Sequence, residues 1–137
     1  MATILPSSIQ DGYLPYLMLY TSVAGIAHTA WCYLSKDPAS SMRMFRGPRS
    51  PTPTPLLAHV YAVKNLYTSV IRLYAVYHLN NRPLYNLAML SYAGVLWLYF
   101  TEYAIWQTAR GSDTLIPLAT SGLGLVWMWV QSDWYLR

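Results

Sequence analysis

Four stretches of this chain are apolar for long enough to form membrane helices. Residues 13–34 make the first, interrupted only by Thr, Ser, Cys and His28. Residues 56–78 make the second and carry Lys64 and Arg72. Residues 84–109 make the third, with Glu102 inside it, and residues 114–130 the fourth. The last runs into an aromatic cluster of Trp127, Trp129, Trp134 and Tyr135. About 20 apolar residues cross a bilayer as a helix. The pattern therefore predicts an all-α membrane protein, a four-transmembrane-helix bundle forming a single domain over 1–137.

The polar stretches fix the connections. Residues 1–12 are a short polar lead. Residues 35–55 form a loop, and its end, 48–55, holds four prolines. Proline removes a donor and restricts the residue before it, so this end is expected to be extended or disordered. Asn80-Asn81-Arg82-Pro83 reads as a tight turn that makes the second and third spans antiparallel neighbours. Residues 110–113 form a second short turn, containing Gly111. The first span is too long for a cleaved signal and reads as a retained anchor. No internal repeat stands out.

Composition supports lipid as the solvent. Hydrophobic residues make up 55% of the chain and charged residues 10%. Soluble domains carry about 25% charged residues. The 13 Tyr and 6 Trp suit the membrane–water interface. The net charge of +4 is concentrated, because Lys36, Arg43, Arg46 and Arg49 crowd one loop. A nucleic-acid partner is excluded on this pattern, since such domains spread basic residues over a soluble face. Four spans put both termini on one side. The positive-inside rule then sets loops 35–55 and 110–113 in the cytoplasm and the termini in the lumen.

Lys64, Arg72 and Glu102 are the costly residues, at about 2.5–3.5 kcal/mol for a charge at helix centre. Depth along the helices suggests partners. Lys64 and Glu102 each lie roughly 10–12 Å from the cytoplasmic end, by rise per residue. Arg72 lies near the opposite end, at the level of Asp133. The expected ion pairs are thus Lys64–Glu102 and Arg72–Asp133. Structural pairing is one role for these charges. A polar site facing a partner helix or a sterol headgroup is the other, with His78, Asn80 and Asn81 as further candidates. Small residues recur every four positions at Thr21, Gly25 and Thr29, and at Thr120 and Gly124. Such faces let helices approach closely in lipid, within the bundle or in a homodimer.

A catalytic or metal constellation is not legible. His28, His59 and His78 are scattered, with no helical metal pair among them. Cys32 is alone, so it forms no intrachain disulfide or cysteine zinc site. Gly122-Leu-Gly124 lacks the context of a dinucleotide fingerprint. No cofactor is expected. Ser50-Pro51, Thr52-Pro53 and Thr54-Pro55 are possible phosphate acceptors beside the arginines.

One motif is more specific. Ile71-Arg72-Leu73-Tyr74-Ala75, then Tyr77-His78-Leu79-Asn80-Asn81 and Leu84-Tyr85-Asn86-Leu87-Ala88, resembles the signature of the ergosterol biosynthetic protein 28 family. Glu102 within Phe100-Thr101-Glu102-Tyr103 resembles that family's acidic position. The resemblance implies a non-enzymatic scaffold in the endoplasmic reticulum membrane. Its implied partners are the sterol C-4 methyl oxidase, the decarboxylating C-3 dehydrogenase and the 3-ketoreductase. The residues leave a second reading open, a sterol-binding or sterol-transfer protein with a polar site near Lys64 and Glu102. An isolated enzyme is the weakest of the three.

Overall fold

In the computed structural model of the chain, residues 12–136 are described; the polar lead up to residue 11, and Arg137, lie outside the described residues. The elements are α1 (Leu14–Leu34), α2 (Pro38–Ser41), a 3₁₀ turn (Arg43–Phe45), α3 (Pro55–Tyr77), α4 (Arg82–Ala104), α5 (Gly111–Val130) and α6 (Ser132–Tyr135). Among the described residues there is no strand.

Local chemistry sets the helix starts. Thr54 caps α3, its hydroxyl accepting from the Leu57 amide, and Pro55 takes the first helical position. Asn81 caps α4 by accepting from the Leu84 amide, and Asp37 caps α2 by accepting from the Ala39 amide. Short polar side chains at these positions satisfy amides that have no partner inside the helix. Prolines in first turns cost nothing there, because their missing N–H would be unpaired anyway.

Three boundaries differ most from the sequence expectation, and α4 also takes in Arg82 and Pro83 of the expected turn. The loop 35–55 is partly helical, because Asp37 and Pro38 start α2 and the 3₁₀ turn follows it. The third long helix stops at Ala104 rather than residue 109. There the Glu102 carbonyl accepts from both the Thr108 and Ala109 amides, and Gln107 takes a left-handed φ of 56°. The fourth begins at Gly111, ahead of the expected start at residue 114.

The four long helices close into a ring. α1 packs along α3 and α4 along α5, while α3 meets α4 and α1 meets α5 more lightly. The buried positions of α3 include Ala58, Ala62, Asn65, Ser69, Arg72 and Val76. Those of α4 include Tyr85, Ala88, Tyr92, Val95 and Tyr99. Both sets step by three and four residues in alternation, the spacing of a seam between nearly parallel helix axes. One apolar cluster, with Leu14, Met18, Val76, Tyr85 and Met128, holds the end near the 78–81 turn. A second, with Cys32, Met42, Ala62, Val95 and Tyr99, holds the opposite end.

At that second end two loops clasp each other. The Gly47 amide donates to the Thr108 carbonyl at 2.8 Å, and the Arg49 amide to the Gln107 carbonyl at 3.1 Å. The Arg110 amide donates back to the Met44 carbonyl at 2.8 Å. The clasp therefore joins the α1–α3 connection to the α4–α5 connection.

Large apolar side chains cover the outside, and a set of polar ones is buried. Val23, Trp31, Leu56, Tyr67, Leu90, Trp97, Ile116, Val126 and Trp129 point outward and are exposed. Thr21, Ser22, Asn65, Ser69, Arg72, Ser91, Thr114 and Ser121 are buried. Among the described helices, α5 is the one that is long and apolar enough to cross a membrane by length and composition. α1, α3 and α4 have comparable length, but tyrosines, histidines and, in α3, two cations dilute their apolar character.

Candidate functional site

Between the two apolar ends lies a polar layer built around Arg72. This side chain is 6% exposed. Its Nε donates to the Ser91 hydroxyl at 2.9 Å and its Nη2 to the Ser91 carbonyl at 3.2 Å. The Ser91 hydroxyl in turn donates to the Ala88 carbonyl at 2.6 Å. The guanidinium carbon stands 3.9 Å from the centre of the Tyr92 ring. A cation over an aromatic face is drawn to the ring's negative quadrupole, more strongly where water is excluded. Tyr92 is fully buried, and its hydroxyl meets Thr21 of α1 at 2.6 Å. Since Thr21 already donates to the Met18 carbonyl, Tyr92 is the donor to Thr21. Arg72, Tyr92 and Thr21 thus link α3, α4 and α1.

A second group sits toward the clasped end. The His28 ring stands 2.8 Å from the Ser41 carbonyl through Nε2, and 2.8 Å from the Asn65 amide nitrogen through Nδ1. A carbonyl only accepts, so Nε2 carries the proton and Nδ1 accepts from Asn65. Thr29 donates to the Ala62 carbonyl at 3.0 Å, pinning α1 to α3. Tyr61 and Tyr99 join hydroxyl to hydroxyl. Lys64 reaches over the Tyr61 ring, with Nζ 4.4 Å from its centre.

A cavity of about 240 Å³ opens inside this layer. Arg72, Lys64, Ser69, His28, Asn65, Tyr61 and Tyr99 line it, together with Thr120 and Ser121 of α5. Tyr20 on α1 and Ile116 on α5 also line it and are exposed, so the cavity reaches the surface between α1 and α5. An adjoining groove of about 360 Å³ shares Tyr61 and Lys64, and is walled by Phe45, Leu57, Val60 and Leu98. Glu102 lines the groove but not the cavity.

The expected ion pairs are corrected. Neither Lys64–Glu102 nor Arg72–Asp133 forms; the ion pair among the described residues is Arg110–Asp113, at 3.7 Å. Glu102 instead accepts a hydrogen bond from the Thr108 hydroxyl, in the turn that ends α4. Axial depth was the right coordinate for bringing Lys64 and Glu102 to one groove, but the Lys64 ammonium turns to the Tyr61 face. Arg72 turns to Ser91 and Tyr92, away from α6, where Asp133 sits exposed. His78, Asn80 and Asn81 are exposed at the α3–α4 turn and do not line the cavity.

Of the small-residue positions, Gly25 lies against Ser69 and Asn65 of α3, and Gly124 against the Tyr92 ring. Thr120 lines the cavity. Sequence reasoning missed the interior tyrosines and treated tyrosine as an interfacial residue. The available signal was the seven-residue repeat of Tyr85, Tyr92 and Tyr99, which sets them on one helix face. No group of three or more His, Cys, Asp or Glu able to hold a metal ion occurs among the described residues.

Residues 14–126 match the family model described as Erg28 like protein. The chain belongs to that family. It is 31% identical over 137 residues to the ergosterol biosynthetic protein 28 of Candida albicans, covering 98% of this chain and 96% of the relative. It is 29% identical over 130 residues to the protein of the same name from Saccharomyces cerevisiae, covering 94% and 86%. The family's members are thus named for ergosterol biosynthesis. No solved structure matches the chain. The family match runs through all four long helices and includes every residue of the polar layer from Thr21 to Ser121.

Proposed function

We propose that this chain is a non-enzymatic scaffold of the endoplasmic reticulum membrane that tethers the sterol C-4 demethylation enzymes in ergosterol biosynthesis. The observation that carries the reading is the outward surface: every long helix turns large apolar side chains outward, while a polar layer is buried between two apolar ends. Soluble monomers rarely expose apolar surface on this scale. A bilayer removes the conflict if all four long helices cross it, and the interior hydroxyls and amides then find partners on neighbouring helices. Membership of a family named for ergosterol biosynthesis supports the pathway.

The basic loops favour one orientation. Arg46 and Arg49 adjoin Arg110 through the loop clasp, and Lys36 and Arg43 belong to the same connection. An end this rich in cations belongs in the cytoplasm. Tethering there raises the effective concentration of each enzyme for its neighbour's product, without any new chemistry in the tether. The outward aromatic and aliphatic faces supply contact surface for partner helices, or for a second copy of the chain.

A second reading, a sterol-binding or sterol-transfer protein, draws support from the groove between Lys64 and Glu102. Its walls are largely apolar, and it carries charged groups at Lys64 and Glu102.

Mild-detergent purification of the tagged chain from its native membranes, followed by mass spectrometry, separates the two. Recovery of the C-4 methyl oxidase, C-3 dehydrogenase and 3-ketoreductase together is the expected result. A chain that brings down sterol and none of these enzymes overturns the scaffold.

A further inference from the structure

The polar cavity holds positive charge that no carboxylate among the described residues neutralises. Arg72 and Lys64 both line it, and no carboxylate does among the described residues. Arg72 spends Nε and Nη2 on Ser91 and, among the described residues, makes no hydrogen bond through Nη1. Lys64, half-buried, has an aromatic ring beneath it but, among the described residues, no anion within ion-pair distance. A buried cation without a counter-ion is costly, and in a membrane setting such residues mark sites of ligand or ion contact.

Ser69 adds an independent sign. It is 1% exposed and lines the same cavity, and among the described residues its hydroxyl oxygen has no hydrogen-bond partner. Buried hydroxyls are nearly always satisfied, so an orphan in a cavity that two cations also line calls for a partner. A guanidinium, an ammonium and a hydroxyl are all donors, and an oxyanion in the cavity they line is the acceptor common to them.

The cavity also adjoins an apolar groove at Tyr61 and Lys64. Phe45, Leu57 and Leu98 wall that groove. Glu102, its acidic group, is engaged with Thr108. A ligand occupying both spaces has an anionic head and a hydrocarbon body.

From this geometry we infer that the chain binds an acidic amphiphile, its carboxylate or phosphate held by Arg72, Lys64 and Ser69 and its apolar body lying in the adjoining groove. The site exists whether or not the chain tethers enzymes, so failure of the scaffold in pull-downs leaves it standing.

The test uses the full chain in a neutral maltoside detergent, titrated with radiolabelled oleate. Lysophosphatidate, oleyl alcohol and inorganic phosphate serve as competitors. Oleate is expected to saturate at one site and to be displaced by lysophosphatidate, whose relative strength names the preferred head group. Oleyl alcohol is expected not to displace it. K64Q and R72Q should each weaken oleate binding by about tenfold or more, and S69A by less, because a charge-assisted hydrogen bond is stronger than a neutral one. If R72Q lowers the yield of folded protein, K64Q carries the test, and K64R should restore binding. Displacement by oleyl alcohol as strong as by lysophosphatidate would overturn the anionic head. Inorganic phosphate binding as tightly as oleate would overturn the amphiphile. Unchanged affinity in K64Q would overturn the site.

Discussion

Gly124 on α5 leaves the space that the Tyr92 ring fills. A Cβ at residue 124 would lie 2.9 Å from one ring carbon and 3.0 and 3.1 Å from two others. The ring cannot yield cheaply. It is planar, fully buried, stacked on Arg72 and tied at its hydroxyl to Thr21. Gly124→Ala should therefore lower stability by about 1–3 kcal/mol, the usual range for overpacking. Gly94 has nothing within 4 Å of an added Cβ, so Gly94→Ala is the control. Thermal melts of both variants in one detergent check this. Equal melting temperatures for the two would sink the packing account.

Arg72 presents a different kind of test. Its partners are a serine and a tyrosine rather than a carboxylate. Removing it strands no buried anion, and the desolvation cost of the cation is relieved. What is lost is the contact with the ring and with Ser91, worth about 2 kcal/mol. Arg72→Met should therefore remain folded, with a stability within about 2 kcal/mol of the parent. A denaturation midpoint measured by tryptophan fluorescence reads this directly. A loss beyond about 4 kcal/mol would make the arginine a strut of the bundle, of the kind that breaking a buried pair exposes.

Asn65 and His28 act as a unit. Truncating Asn65 leaves the His28 Nδ1 acceptor without its donor, while Nε2 keeps its bond to Ser41. Asn65→Ala should cost about 1–3 kcal/mol, the penalty of an unsatisfied buried group. The double variant with His28→Ala should cost less than the sum of the singles, by about 0.5 kcal/mol or more. Strict additivity in that cycle would show that the two side chains do not bond.

The loop clasp depends on one glycine. A Cβ on Gly47 would fall 2.3 Å from the Gln107 carbonyl oxygen and 2.6 Å from the Thr108 carbonyl carbon. Both are backbone atoms, so no side-chain rotation relieves the clash. Gly47→Ala should unfasten the two loops while leaving the helices intact. Hydrogen exchange at the amides of residues 47, 49 and 110 should accelerate, and protease should cut the 35–54 connection sooner. Unaltered exchange at those amides would mean that the clasp does not hold the loops.

Much of this was legible beforehand. The four apolar stretches, the Asn81 turn and the gathering of basic loops at one end all follow from apolar run length and from Pro and Asn chemistry. The end of α4 did not, because it is set by what Glu102 does with its carbonyl and carboxylate. Residues 105–109 remain apolar enough to read as helix. Partner choice for Lys64 and Arg72 was also hidden. Axial rise gives the depth of a charge but not the side of the helix where its head lands, and tyrosine faces compete with carboxylates for a cation. The cavity was the least legible feature. It exists because Gly25, Ser69, Thr120 and Ser121 are small where larger residues would fill the ring, and no pattern in one chain marks a space.

The ring of helices is not equally fastened all round. α3 and α4 share a turn, and the clasp binds the α1–α3 connection to the α4–α5 connection. α1 and α5 share no covalent link and touch only lightly. The mechanics are those of a hinged pair of leaves. The α3–α4 seam is the spine, and the α1–α5 seam, held at one end by Leu14, Met18 and Met128, is the looser edge along which Tyr20 and Ile116 flank the cavity. The mouth of the cavity is then lateral, between α1 and α5, and not on the axis of the bundle. A crosslink between α1 and α5 would latch that edge.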